Sequence, residues 1–540
     1  MTHKNLSWIG WRRPFRLNVT IVKILIVSGG VLTSVLSAAA ADLNLIPWPA
    51  KLQRLDGQFS LDEKTVVTAD APFTQEAALL AARFHLPTAA TTSANRIRLT
   101  TEGAQGLGDE AYRLEVDTHG ATIHARTAAS AFYGVQTLAQ MVEPKSKVIP
   151  FVTIEDAPRY AWRGLMLDVS RHFFDKTTIL QLLDWMADYK LNRFHIHLTD
   201  DQAWRLEIGK YPELTKAGAR GNFTDSNAPA RFFTKAEMQE IIAYAAARHI
   251  VVVPEIDMPG HASAATRIFP AIDGGAKTFN PGSAATFDFL QNVLRDVMQT
   301  FPSPWIHFGG DEVNTSGWKK NPDAVKKMKT EGFNDPRQLE GDFVRRMTRF
   351  ITEQGRTPMG WDEIVAAKPA TNTVVFWWRH NQPEMLAQAL AAGHAVVLTP
   401  RSPCYFDYPQ DPSYPQIGWK LCNTPELVYR GPLIPTNIPP AQLKQILGVE
   451  ACVWTEHIAT VPYLEFMLLP RMVALAEMAW TPDDRRDFAQ FDARLKPHLD
   501  EYRQLGIHFY DEANPADVRA IQSGLGFLPR TKSVQGISTR

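Results

Sequence analysis

The chain has 540 residues, too long for one ordinary domain, and its 45% hydrophobic and 21% charged content is that of a globular protein. Its formal net charge is zero, so no basic surplus is available to neutralise phosphates, which argues against nucleic-acid binding. Three cysteines (Cys404, Cys422, Cys452) are too few for a disulfide scaffold or a thiolate metal knot; one bridge between Cys404 and Cys422 and a set of free thiols are both open.

The N-terminus reads as a targeting segment. Lys4, Arg12, Arg13, Arg16 and Lys23 precede an apolar run, ILIVSGGVLTSVLSAAAA, that ends in small residues near Ala40 and Ala41. This predicts a cleaved signal peptide over residues 1–41 and an exported protein, periplasmic or secreted. A membrane anchor is the alternative, which the Ser, Thr and Gly within the run disfavour. RRPFR fits either a twin-arginine signal or an ordinary positive flank.

Residues 42–156 predict a small α+β domain. Ala111–Val116 and Ala121–Arg126 alternate like strands around the turn DTHG, and Ala128–Val142 has a helical pattern. From Trp162 the character changes. Eight strand-like runs alternate with helical stretches: RGLMLD, FHIHL, IVVVPEID, WIHFGG, TPMGWDE, TVVFWW, AVVLTP and ILGVEACVW. Ile179, Leu182, Leu183 and Met186 lie at helical spacing, and Thr234 with Glu237 forms a capping box. Eight β–α units over residues 157–510 predict an α/β fold, a (β/α)8 TIM barrel catalytic domain preceded by the small domain. Residues 511–540 read as a polar, loose tail.

Barrel enzymes carry their sites where strands end and loops begin. Polar and aromatic residues cluster at those ends: Asp168, Arg171, His197, Asp200, Glu255, Asp257, His261, Asp311, Glu312, Trp361, Asp362, Trp378, Tyr405, Asp407, Trp454 and Glu456. No GxSxG elbow, phosphate loop or dinucleotide fingerprint is present. Carboxylates with tryptophans suit a carbohydrate, because indole faces stack on sugar C–H surfaces while carboxylates and Arg bind hydroxyls.

HFGGDEVN, His307–Asn314, sets two acids side by side. Most glycosidases need two carboxylates flanking the scissile bond. Neighbouring residues are badly placed for that, even if Gly309 and Gly310 bend the chain so that both acids face the pocket. One acid can serve the leaving oxygen, but the nucleophile must come from elsewhere. A 2-acetamido group on the substrate is one answer.

The sequence resembles family 20 glycoside hydrolases, the exo-β-N-acetylhexosaminidases. The matching pieces run in order: RGLMLDVSRHF, KLNRFHIHLTDDQAWR, PEIDMPGHA, HFGGDEV, GWDE, WWR, YFD and VWTE. Residues 42–156, opening on IPWP, resemble that family's accessory domain. The resemblance implies retaining, substrate-assisted hydrolysis of terminal β-linked GlcNAc or GalNAc through an oxazolinium intermediate, with no cofactor and no metal. It implies that Glu312 is the general acid and base, its pKa raised by Asp311; that Asp311 holds the acetamido nitrogen; and that Tyr405 donates to the acetamido oxygen. Trp361, Trp378 and Trp454 would wall the acetyl pocket, with Trp378 chosen over Trp377. Arg171 would take the 3- and 4-hydroxyls, Asp407 and Glu456 the 4- and 6-hydroxyl side, and Trp419 the aglycone side. Asp200 and His261 would support the acid pair. The partner implied is an oligosaccharide or glycoconjugate ending in N-acetylhexosamine; oligomeric state is not legible.

Two other readings compete. His195 and His197 form H-x-H on one strand face, a spacing that binds metal in barrel amidohydrolases and would suit a metal-dependent deacetylase. Hydrogen-bonded core histidines fit better, as few further His ligands occur at later strand ends. A catalytically silent sugar-binding relative is the other, and the intact Asp311, Glu312 and Tyr405 argue against it. Asp168 and Asp257 read as structural partners of Arg171 and His261.

Overall fold

The computed structural model describes residues 43–88, 95–143, 145–413, 421–432, 434–513 and 518–522. The predicted signal segment and Trp419 lie outside them.

A six-stranded sheet comes first: β1 (Lys51–Ser60), β2 (Val66–Ala69), β3 (Arg96–Thr100), β4 (Tyr112–Asp117), β5 (Gly120–Ala125) and β6 (Val148–Asp156). Its order is β1-β6-β4-β5-β3-β2. The predicted hairpin appears as β4 and β5, paired antiparallel from Tyr112 opposite Ala125 to Asp117 opposite Gly120. β4 buries alternate residues, as a half-covered sheet requires. The helix Ala128–Met141 covers the sheet and opens with a Thr127–Ser130 capping box.

The eight apolar runs form the closed parallel barrel expected of them. Its strands are β7 (Trp162–Asp168), β8 (Arg193–His197), β9 (Val251–Glu255), β12 (Trp305–His307), β13 (Thr357–Trp361), β14 (Val374–Trp377), β15 (Val396–Leu398) and β16 (Ile446–Val453). β16 pairs with β7 to close the ring, Gly448 opposite Trp162 through Val453 opposite Leu167. A short antiparallel pair, β10 (Asp273–Gly275) and β11 (Thr278–Phe279), stands in the loop after β9. Helices cover the outside, so every residue of β7 is buried. Thr234 and Glu237 close their capping box at the helix Lys235–Ala246.

The barrel interior is polar in its middle layer. Trp162 Nε1 donates to Glu450 at 2.9 Å, and His195 Nδ1 lies 2.8 Å from the same carboxylate. Gly164 is required there, since a Cβ would stand 2.3 Å from Glu450 Oε2. Sheet and barrel pack into one compact unit. The contact between them is buried and charged. Arg163 makes a two-pronged bond to Glu110 at 3.0 and 2.9 Å, and Asp156 takes Trp480 at 3.0 Å and Lys190 at 3.3 Å. These contacts lie where β7 and β8 begin, at the end of the barrel opposite the strand termini that bear the candidate site.

One expectation needs correction, and one open alternative is decided. The segment after residue 510 is not all loose tail: Val518–Gln522 is a helix that buries Val518 and Ile521 and packs on the helix Val461–Leu468. Cys404, Cys422 and Cys452 are all free thiols, so the Cys404–Cys422 bridge is not formed.

Candidate active site

β12 is only three residues long, and the backbone leaves it through an unusual turn. Gly309 and Gly310 have φ of +72° and +97°, and Glu312 itself has φ +48°. Here glycine has two reasons. Positive φ favours it, and a Cβ on Gly309 would lie 1.7 Å from Asp257 Oδ1, on Gly310 2.5 Å from Ile364 Cγ2. Asp257 Oδ1 takes the Gly310 N–H at 3.3 Å, so Asp257 supports the turn itself rather than serving only His261. The bend inferred from the sequence is therefore real, and both acids line one pocket.

The two acids differ in environment. Asp311 is buried, 8% exposed, whereas the Glu312 side chain is 60% exposed. His261 stands between them, its Nε2 3.7 Å from Asp311 Oδ2 and 3.7 Å from Glu312 Oε2. Its Nδ1 faces Asp200 Oδ1 at 3.2 Å. Burial opposes its charge, but Asp200 prevails and holds the imidazolium well above its ordinary pKa. Asp200 is buried too. Arg171 at 2.7 Å and His261 overcome that burial and keep it ionised, well below the usual carboxylate range.

This reverses the expected perturbation of the acid pair. Asp311 is the raised group, pushed up to about 6 by burial, with Glu255 and Glu312 adding to it. Glu312 is lowered in the open site, first by the hydrogen-bonding field of His261. Sequence adjacency suggested that Asp311 would raise Glu312. Exposure of Glu312 and the interposed imidazolium outweigh that repulsion.

The walls follow. Trp378 and Tyr405 stack with rings 6.3 Å apart and 13° between planes, and Trp361 lies 5.7 Å from Trp454. Burial holds the Tyr405 phenol well above its usual pKa, so it is a neutral donor. Trp361 Nε1 donates to Glu255 at 2.9 Å and Trp378 Nε1 to Glu363 at 2.9 Å, fixing both indoles. Trp377 points away, into the packing beneath the helix Pro383–Ala391. Arg171 reaches Asp168 at 3.3 Å and Glu456 at 3.8 Å, with its guanidinium 5.0 Å from the Trp454 ring centre. Asp407 and Glu456 complete the lining. Every proposed site residue among those described lies in this pocket except Asp200, which stands behind Arg171 and His261.

Sequence reasoning missed Arg401 and Tyr408, which also line the pocket. Arg401 lies over Trp378, 5.1 Å from its ring centre. Their signal was position alone, just beyond the end of β15. Glu363, in the GWDE motif, takes its place through its bond to Trp378.

Among the described residues, the groups able to ligate a metal are His195 with Glu255 and His307, His197 with Glu255 and Asp257, Asp200 with Asp201 and His261, and Asp257 with His261 and Asp311. Glu255 is central to the first two, but its oxygens already face His197 at 2.7 Å, His307 at 2.9 Å, His195 at 3.1 Å and the Trp361 indole. A carboxylate so occupied suits a closed hydrogen-bond network, as expected for core histidines, and does not favour the deacetylase reading.

Residues 160–483 match the model of the glycosyl hydrolase family 20 catalytic domain, and residues 42–157 match that family's domain 2. The chain belongs to glycosyl hydrolase family 20. A beta-hexosaminidase of Porphyromonas gingivalis is 33% identical over 87% of the chain, which spans 64% of that longer protein. A beta-N-acetylhexosaminidase of Cellulomonas fimi is 34% identical over 87% of this chain and 96% of its own. Among solved structures, a family 20 exo beta-N-acetylglucosaminidase from Vibrio harveyi, in complex with N-acetylglucosamine, superposes with a TM-score of 0.80 at 30% identity. It covers 87% of this chain and 78% of that one.

Proposed function

We propose that this family 20 chain is a retaining exo-β-N-acetylhexosaminidase acting on terminal non-reducing β-linked GlcNAc or GalNAc. The observation that carries this reading is the shared distance from His261 to Asp311 and Glu312. Each carboxylate lies 3.7 Å from the same ring nitrogen, and the two stand on consecutive residues of one turn, so one stretch of backbone supplies both. That suits one acid serving the leaving oxygen and its neighbour the acetamido nitrogen, with the acetamido oxygen left to attack C1. Family 20 enzymes are among the known substrate-assisted exceptions to the two-carboxylate rule.

The steps follow from the placement. A terminal sugar enters with its hydroxyls towards Arg171, Asp407 and Glu456 and its acetamido group between Trp361, Trp378 and Trp454. Glu312 gives its proton to the glycosidic oxygen as the C1–O bond breaks. The acetamido carbonyl oxygen bonds to C1 and forms the oxazolinium ion. Asp311 accepts the amide N–H and faces the positive charge, while the Tyr405 hydroxyl orients the carbonyl oxygen. Glu312, now ionised, takes a proton from water, which attacks C1 and reopens the ring with net retention.

The open site holds Glu312 low, yet the acid must carry a proton. A bound sugar removes water from a side chain that is 60% exposed, and burial raises a carboxyl group. The amide N–H favours ionised Asp311 at the same time. Substrate therefore moves the pair's one proton towards Glu312.

The supporting experiment is turnover of a chromogenic β-N-acetylglucosaminide by the purified chain. Hydrolysis with release of the β-anomer is expected; no hydrolysis would overturn the reading. The apolar run before Ala41 further supports export to the periplasm or medium.

A further inference from the structure

Beyond the sugar pocket lies a second, polar groove. Glu312 is the one residue that lines both. Its far wall comes from the segment after the acid pair, Asn314, Thr315, Ser316 and Lys319, with Arg337 and Arg379 beside it. Glu363 also lines it and accepts from the Trp378 indole of the sugar pocket at 2.9 Å. A β-glycoside carries its leaving oxygen on the carbon next to the one bearing the acetamido group. Glu312 is to protonate that oxygen, so a groove that shares Glu312 with the sugar pocket is open to the leaving sugar.

Its charges are unequal. Arg379 is bound to Asp362 and Arg337 to Glu340. Lys319 is exposed and, among the described residues, has no ion-pair partner. Glu363 lies 3.7 Å from the same Arg379, while burial, with Asp362 and Asp311 close by, holds it well above the usual carboxylate range. A leaving sugar therefore meets hydroxyl and amide groups and, in Lys319, an exposed cation that no acid of the groove pairs.

We propose that this groove is the aglycone subsite and that it selects a leaving sugar bearing a carboxylate, such as a uronic acid or a 3-O-lactyl sugar, with Lys319 as its main charge partner. The inference rests on the hexosaminidase reading. It concerns the other side of the scissile bond and is tested separately from it.

The test compares three disaccharides: GlcNAc-β-1,4-GlcNAc, the same disaccharide with a 3-O-lactyl ether on the reducing sugar, and the methyl ester of that lactyl group. The ester matches the bulk without the charge. The expected result is a kcat/KM for the acid about 3- to 5-fold above the ester, the size of one exposed charge contact. Added salt should diminish the preference, and Lys319→Met should remove it while leaving an aryl β-N-acetylglucosaminide unchanged. Equal rates on acid and ester, or an equal loss on both in Lys319→Met, would overturn the proposal. Failure on the aryl substrate itself would instead count against the hexosaminidase reading.

Discussion

His261 Nε2 is equidistant, at 3.7 Å, from Asp311 and from Glu312, while its other nitrogen is turned to Asp200. One cation thus governs both acids, and it separates two groups that the sequence makes neighbours. The pH behaviour follows from this arrangement.

The active free enzyme needs one proton on the acid pair. Asp311 has its folded pKa raised to about 6, so it is the group that loses that proton as pH rises. Glu312 is lowered, so the second proton adds only in more acid solution. Plots of kcat/KM against pH should be bell-shaped, with an alkaline limb near 6. In Asp311→Asn the pair has one acid left, and the limb should move to lower pH as activity falls. A limb unmoved by that change would assign the titration elsewhere.

Tyr405 is held by its stacking with Trp378 and remains a neutral donor. Tyr405→Phe keeps the ring and removes the hydroxyl. A drop in kcat of about 10²-fold is expected, as for loss of one oxyanion-type donor, with the fold intact by circular dichroism.

Gly309→Ala places a methyl group 1.7 Å from Asp257 Oδ1 at a residue with φ +72°. Either the turn or Asp257 must move, and both acids ride on that turn. Activity should fall by more than about 10²-fold, a displacement of reacting groups of about 1 Å being enough. The accompanying loss of stability, on the order of 1–3 kcal/mol, is readable by denaturant titration.

Glu110→Ala removes the partner of Arg163, whose side chain is fully buried where the sheet domain meets the barrel. An uncompensated buried charge costs about 3–5 kcal/mol. The melting temperature should fall sharply although the site lies at the far end of the strands. Unchanged stability would show that Arg163 finds other acceptors sufficient.

Much of the architecture could be read from residue order. Strands buried on both faces leave unbroken apolar runs, and so all eight barrel strands stood out. The glycine bend was legible because adjacent acids on a strand would face opposite ways. What the sequence hid was burial. Asp311 and Glu312 are adjacent, yet one is enclosed and the other open, and that difference decides which is perturbed. Arg401 and Tyr408 carry no motif, since a loop brings them to Trp378 and Tyr405 only in three dimensions. The helix Val518–Gln522 is too short to announce itself by periodicity. The merging of sheet and barrel into one unit depends on pairs such as Glu110 and Arg163, far apart in the chain.

In the proposed mechanism the substrate's own acetamido group is the nucleophile, with Asp311 at its nitrogen and Glu312 at the leaving oxygen. The most direct measurement compares kcat/KM for 4-nitrophenyl 2-acetamido-2-deoxy-β-glucopyranoside and 4-nitrophenyl β-glucopyranoside. Turnover of the first and only background hydrolysis of the second are expected. Comparable turnover of the glucoside would contradict an acetamido nucleophile.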